Sequence, residues 1–179
     1  MAAATADVAR LFFAAWPAPE VQRALGKIAR DAQPECGGRA VPTGNIHLTL
    51  IFLGNLPRHR VTALETIASS VRGHPFALTV DRLEYWRHNR IVWGGTRACP
   101  EALQALVARL QDALAGEAFR FDRRPYVPHV TLLRNARRAP AEVRCPDVAW
   151  PVDGFALVES SPQERGRAYH VLRSWPLDG

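Results

Sequence analysis

The feature that most narrows what this chain can become is a short string that occurs twice, His47-Leu48-Thr49-Leu50 and His129-Val130-Thr131-Leu132. In both copies polar and apolar residues alternate. Both also sit in apolar surroundings, Ile46 and Ile51-Phe52-Leu53 around the first and Leu133 after the second. Alternation with period two marks a strand buried on one face. His47 and Thr49 would then share a face, with Leu48 and Leu50 in the core. His129 and Thr131 would do the same, with Val130 and Leu132 behind them. Six histidines and eight threonines among 179 residues give roughly 0.3 His-x-Thr spacings by chance, so two copies ask for a common cause.

Around these strings the chain alternates strands and helices. Residues 10–16 are an apolar run ended by Pro17 and read as a strand. Pro19 opens a helical pattern with Val21, Leu25 and Ile28 on one face. Residues 45–53 predict a second strand closed by Gly54-Asn55, and Val61, Leu64, Ile67 and Val71 a second helix. Phe76, Leu78, Val80 and Leu83 suggest a third strand. The second half starts again with a strand at Ile91-Val92-Trp93, stopped by Gly94-Gly95. A helix from Pro100 carries Leu103, Leu106, Val107, Leu110 and Leu114 as one stripe, and residues 126–133 form a strand. Residues 135–150 read as loop. Residues 155–158 and 169–172 read as a hairpin around a polar, mobile tip at 160–167.

Strands with about three helices and hairpins predict an α+β fold, two antiparallel sheets flanked by helices. One tetrad-bearing strand in each half predicts a duplicated, bilobal architecture. Residues 1–179 would then be one domain of two pseudo-symmetric lobes with a central cleft.

Composition excludes several classes. Hydrophobic residues make up 47% and charged residues 22%, the balance of a globular domain. No apolar run approaches the ~20 residues of a membrane span. Residues 1–7 lack the basic and apolar regions of a signal peptide, which predicts a frayed start and a cytoplasmic protein, expected to be a monomer. Cys36, Cys99 and Cys145 are odd in number and scattered, which argues against a disulfide framework and a zinc site. The net charge of +6 is carried almost wholly by arginine, Lys27 being the only lysine, and arginine's planar fork suits phosphate. Neither a GxxxxGK[ST] phosphate loop nor a dinucleotide fingerprint is present, so no cofactor and no metal are expected.

Two imidazoles facing one phosphate define a chemistry. A neutral ring can take a proton from attacking water while a protonated ring gives one to the departing ribose oxygen. Histidine's ordinary pKa of about 6.5 makes both forms available near neutrality. The threonine hydroxyls can donate to the non-bridging oxygens as charge builds. His59, His74 and His88 lie outside apolar strands and read as surface, and His170 lacks a threonine two residues on. Arg120, Arg123 and Arg124 with Tyr126 could line an RNA groove or form a solvated loop. Phe12 and Trp93 could stack a base but fit core packing better.

The blocks around the tetrads read "HLTLIFLG" from His47 and "PHVTLLR" from Pro128. Together with Arg10-Leu11-Phe12-Phe13-Ala14, Val92-Trp93-Gly94, Tyr169 and Trp175-Pro176-Leu177, the chain resembles the 2H phosphoesterase superfamily over nearly its whole length. Within it the likeness is to the bacterial and archaeal RNA 2′,3′-cyclic phosphodiesterases, also called 2′-5′ RNA ligases. The resemblance implies two tetrads facing across a groove. It also implies hydrolysis of a 2′,3′-cyclic phosphate, on an RNA end or a nucleotide, to a 2′-phosphomonoester. It implies His47 as proton donor, His129 as acceptor, and Thr49 and Thr131 on the phosphate oxygens. Arg134 matches a basic position near the phosphate, which regular pleating would put on the wrong face, so a strand end or bulge is required near Leu133. Joining of a 5′-hydroxyl end by the same site, or nucleotide binding without turnover, are the alternatives.

Overall fold

The structure, a computed structural model, describes residues 7–141, 143–164 and 166–178. The reading of residues 1–6 as frayed lies outside them. Among the described residues the order is β1 (Val8–Ala15), α1 (Pro19–Cys36), β2 (Arg39–Ala40), β3 (Leu48–Pro57), α2 (Val61–Ser70), β4 (Phe76–Val80), β5 (Arg82–Trp86), β6 (Ile91–Gly95), α3 (Glu101–Gly116), β7 (Val130–Arg134), β8 (Val148–Val152), β9 (Gly154–Gln163) and β10 (Gly166–Pro176). Eight strands form one sheet in the order β10-β9-β1-β3-β7-β6-β5, with β2 attached to β7. β4 and β8 form a second, two-stranded sheet. Every pairing is antiparallel, and the α+β class is the one expected.

Pleating divides the large sheet into two unlike faces. Leu11 and Phe13 of β1, Leu48 and Ile51 of β3, Val92 of β6 and Leu133 of β7 join the main core with the apolar stripes of all three helices and the β4–β8 pair. Helix α3 buries Leu103, Leu106 and Leu110, each burial stabilising by about 1.5–3 kcal/mol. The alternate residues Phe12, Ala14, Ala156 and Val158 form a smaller cluster with Trp16 and Tyr169, to which no helix contributes. One face is closed by helices, and the other is left for chemistry.

Several boundaries differ from expectation for local reasons. The second strand begins at Leu48 because Thr43–Asn45 close a 3₁₀ turn, with the Asn45 N–H donating to the Pro42 carbonyl. It runs on to Pro57, since Gly54 adopts φ +77° beside a bulge at Leu53 and keeps its pairing with Leu11. Gly94 and Gly95 lie inside β6 instead of ending it: a Cβ on Gly94 would stand 2.7 Å from Val80 Cγ1, so β4 packs where a side chain would go. The expected strand from Phe76 to Leu83 is two strands in different sheets. The Asp81 N–H donates to the Gly95 carbonyl at the switch between them.

Residues 126–129 precede β7 rather than belonging to it. Pro128 has no N–H for a ladder, and the Tyr126 hydroxyl holds the segment by donating to the Thr49 carbonyl at 3.1 Å. The loop over 135–150 gives way to β8, whose Val148, Trp150 and Val152 alternate inward while Pro151 faces out. The polar stretch at 160–167 is mostly strand, with β9 reaching Gln163 and β10 starting at Gly166. Glu142 in the loop and Arg165 at the hairpin tip lie outside the described residues.

Candidate active site

β3 and β7 meet where Leu48 stands opposite Val130. Both side chains are buried in the main core, so the residues on either side of them turn to the helix-free face. Extending the antiparallel register by one residue each way sets His47 opposite Thr131 and Thr49 opposite His129. The four polar side chains of the two strings thus surround one apolar pair.

A bulge follows each string. On β3, Thr49 pairs with Ala14 and Ile51 with Phe13, leaving Leu50 unpaired. On β7, Thr131 pairs with Trp93 and Leu133 with Val92, leaving Leu132 unpaired. Leu50-Ile51 and Leu132-Leu133 can therefore both sink into the core, and the next residue returns to the face of the threonines. That residue is Phe52 on β3 and Arg134 on β7. The bulge that Arg134 needs is present, and its positive charge disfavours protonation of both His47 and His129.

Each imidazole is fixed by its own backbone. His47 Nδ1 lies 2.7 Å from the Asn45 carbonyl oxygen and His129 Nδ1 lies 2.8 Å from that of Val127. A carbonyl only accepts, so Nδ1 carries the hydrogen in both rings and Nε2 is the nitrogen left for chemistry. His47 Nε2 is 3.1 Å from Thr49 Oγ1. Rings crowd both imidazoles. Trp16 stacks on His47 at 5.2 Å and 2°, with Phe12 at 4.9 Å and Tyr169 edge-on at 5.0 Å. Trp86 and Trp93 approach His129 edge-on at 4.6 and 6.1 Å.

This enclosure strips water from the rings and holds the His47 pKa down at about 4. The bond to Asn45 opposes that shift, while the charges of Arg134 and His129 add to it. His129 is also lowered, first by burial and then by Arg134, against the bond to Val127. Both rings are therefore neutral near pH 7. An anion is what makes a proton welcome there.

Over residues 12–164 the sequence matches the 2′-5′ RNA ligase superfamily. The chain belongs to that superfamily. A member from Escherichia coli, named RNA 2′,3′-cyclic phosphodiesterase, is 34% identical over 170 residues, covering 94% of this chain and 96% of its own. One of the same name from Thermus thermophilus is 34% identical over 187 residues, covering 95% and 91%. The crystal structure of Escherichia coli LigT complexed with 3′-AMP superposes with a TM-score of 0.85 at 32% identity, over 96% of this chain and 99% of that one.

Seen as a superfamily member, the chain has site neighbours that its sequence hid. Trp16, Trp86 and Tyr169 come to the histidines from strands or strand ends far apart in sequence. Phe12 and Trp93 are buried, as expected, but against the histidines rather than in the main core. His59, His74, His88 and His170 are exposed and stand outside the four-residue cluster. Arg124 pairs with Asp122, and Arg123 lies over Phe121. Among the described residues no three His, Cys, Asp or Glu side chains gather to hold a metal ion, and no helix is long and apolar enough to cross a membrane. Cys36 is buried, Cys99 and Cys145 are half-buried, and all three are free thiols.

Proposed function

We propose that this chain hydrolyses 2′,3′-cyclic phosphate ends of RNA, or 2′,3′-cyclic nucleotides, to 2′-phosphomonoesters, with His47 as proton donor and His129 as proton acceptor. The observation that carries the reading is the pair of imidazoles with Nδ1 tied back to a carbonyl and Nε2 left for proton transfer, that of His47 against the Thr49 hydroxyl, around the Leu48–Val130 pair. The relatives named RNA 2′,3′-cyclic phosphodiesterase supply the substrate class, and the 3′-AMP complexed with LigT is a ribonucleotide whose phosphate sits on the neighbouring ribose oxygen, the isomer of the proposed product.

In the proposed reaction His129 Nε2 takes a proton from water as the water oxygen bonds to phosphorus. The bond from phosphorus to the ribose 3′ oxygen breaks, and that oxygen leaves with the proton of His47. The phosphate stays on the 2′ oxygen. Substrate charge supplies what burial denies: a bound phosphodiester anion raises the pKa of His47 so that it can enter the reaction protonated. Thr49, Thr131 and Arg134 hold the non-bridging oxygens as their charge grows. A 5′-hydroxyl in place of water would give a 2′-5′ linkage by the same steps, which is the reading the superfamily's name favours.

The same proposal takes residues 1–179 as one domain of two pseudo-symmetric lobes, each giving a tetrad followed by a bulge. It takes the protein as a cytoplasmic monomer acting on RNA ends without a metal. Incubation with 2′,3′-cyclic AMP tests it. The expected product is 2′-AMP, formed at the same rate in a chelator and with a bell-shaped pH–rate profile. Release of 3′-AMP, or loss of turnover on chelation, overturns the mechanism, and binding without any turnover overturns the enzyme.

A further inference from the structure

The two-residue strand β2 does nothing for the tetrads, yet it is built with care. Gly38 just before it sits at φ +79°, and a Cβ there would stand 2.5 Å from the Arg134 carbonyl oxygen and 2.7 Å from the Ala136 nitrogen. Only a glycine lets the chain come this close to β7. The close approach puts Arg39 directly opposite Arg134 and Ala40 opposite Leu133. Ala40 packs on the main core, so Arg39 and Arg134 share the face that carries the histidines.

Like charges set directly across an antiparallel pair repel. Neither guanidinium has an acidic partner among the described residues. Exposed and unpaired, the two forks are set for a shared anion. Their position says which anion. Along β7 the step from Thr131, opposite His47, to Arg134, opposite Arg39, is three residues, or roughly 10 Å of strand at most. Arg134 is near enough for its charge to act on both histidines, and Arg39 lies across from it on β2, at the end of β7 away from Thr131. Arg39 therefore stands one step outside the reacting phosphate.

We infer that Arg39 and Arg134 form a second anion subsite for the phosphodiester next to the terminal nucleotide. This rests on the cyclic-phosphate reading above. A 2′,3′-cyclic phosphate is a 3′ end, so the rest of an RNA strand leaves through the 5′ oxygen of that nucleotide. The next phosphate along it is the ligand for Arg39. Arg134 bridges the two phosphates, and a free cyclic nucleotide leaves Arg39 unused. The subsite makes the enzyme prefer an RNA end over a mononucleotide.

The test compares 2′,3′-cyclic AMP with a short oligoadenylate carrying the same cyclic end. In wild type, log kcat/KM for the oligonucleotide should fall more steeply with log salt, by about 0.7 for the added phosphate contact. Arg39→Ala should lower the oligonucleotide-to-mononucleotide ratio of kcat/KM about tenfold, the effect of losing one charge-assisted hydrogen bond, and Arg39→Lys should restore part of it. An unchanged ratio in Arg39→Ala, or equal salt slopes for the two substrates, overturns the subsite. Should wild type open neither substrate, the cyclic-phosphate reading is what fails. Fluorescence anisotropy with a 2′-phosphorylated oligoadenylate then decides the subsite: weaker binding by Arg39→Ala supports it, and equal binding removes it.

Discussion

Leu48 and Val130 face each other across the junction of β3 and β7, and the four polar residues of the site are the immediate chain neighbours of these two. The apolar pair points into the core and the polar residues point out. The geometry of the candidate site is therefore set by packing on the opposite face of the sheet. Leu48→Ala should cost about 2–5 kcal/mol in urea unfolding, as for other large-to-small core changes. It should also lower turnover at temperatures where the variant remains folded. Loss of stability with wild-type turnover would show that the pair does not set the geometry.

The two histidines should act as a unit. His47→Ala and His129→Ala should each lower kcat by about 10²–10⁴, with the double variant far short of the product of the two losses. Binding of 2′-AMP, followed by calorimetry, should survive in both. Wild-type rates in either variant would remove that residue from the proton transfers.

The depressed pKa of His47 has a sign that can be worked out. Unfolded, the ring binds a proton near its ordinary 6.5; folded, it does so only near about 4. Between these values the unfolded chain holds more protons, so stability is full above pH 6.5 and is lost as pH falls toward 4. The loss from this ring is about 2–3 kcal/mol. His129, shifted the same way, adds to it. Urea denaturation from pH 7 to 4 should show the decline, with a shallower slope in His47→Gln. Because a phosphate anion reverses the shift, binding of 2′-AMP at pH 7 should take up protons, read from calorimetry in buffers of different ionisation enthalpy.

Gly38→Ala should be destabilising by about 1–3 kcal/mol, since it puts a side chain at positive φ and drives Cβ into the backbone of β7. Thermal unfolding measures it. The neighbouring Gly44, where a Cβ would meet nothing within 4 Å, provides the control, and Gly44→Ala should be close to neutral. Equal effects at the two positions would mean that the approach of β2 to β7 does not depend on Gly38.

Much of this could be read from the chain because the histidine and threonine of each string lie two apart with apolar residues between them. The spacing of Leu103, Leu106, Val107, Leu110 and Leu114 likewise revealed α3. The bulge on β3 could not be read, and the one on β7 is called for only by the resemblance at Arg134. Leu50-Ile51 and Leu132-Leu133 look like continued apolar runs, and the slip shows only against Ala14 and Trp93 on the partner strands. Nor could the aromatic enclosure, because Trp16, Tyr169 and Trp86 reach the histidines through strand order rather than sequence distance. Strand β8 was masked by Pro146 and Pro151, which look like loop until the pairing with β4 is known. The carbonyls of Asn45 and Val127 left no trace, since a peptide oxygen is the same under any side chain.

Those two carbonyls also govern how the enzyme is made ready again. On the proposed mechanism one turnover leaves His47 without its proton and His129 with one too many. Both Nδ1 atoms are capped by peptide oxygens, so neither ring can pass a proton out through its back. Exchange has to run through Nε2, the nitrogen the phosphate covers. The catalyst resets only once the product has left, and proton recycling and product departure become one kinetic event.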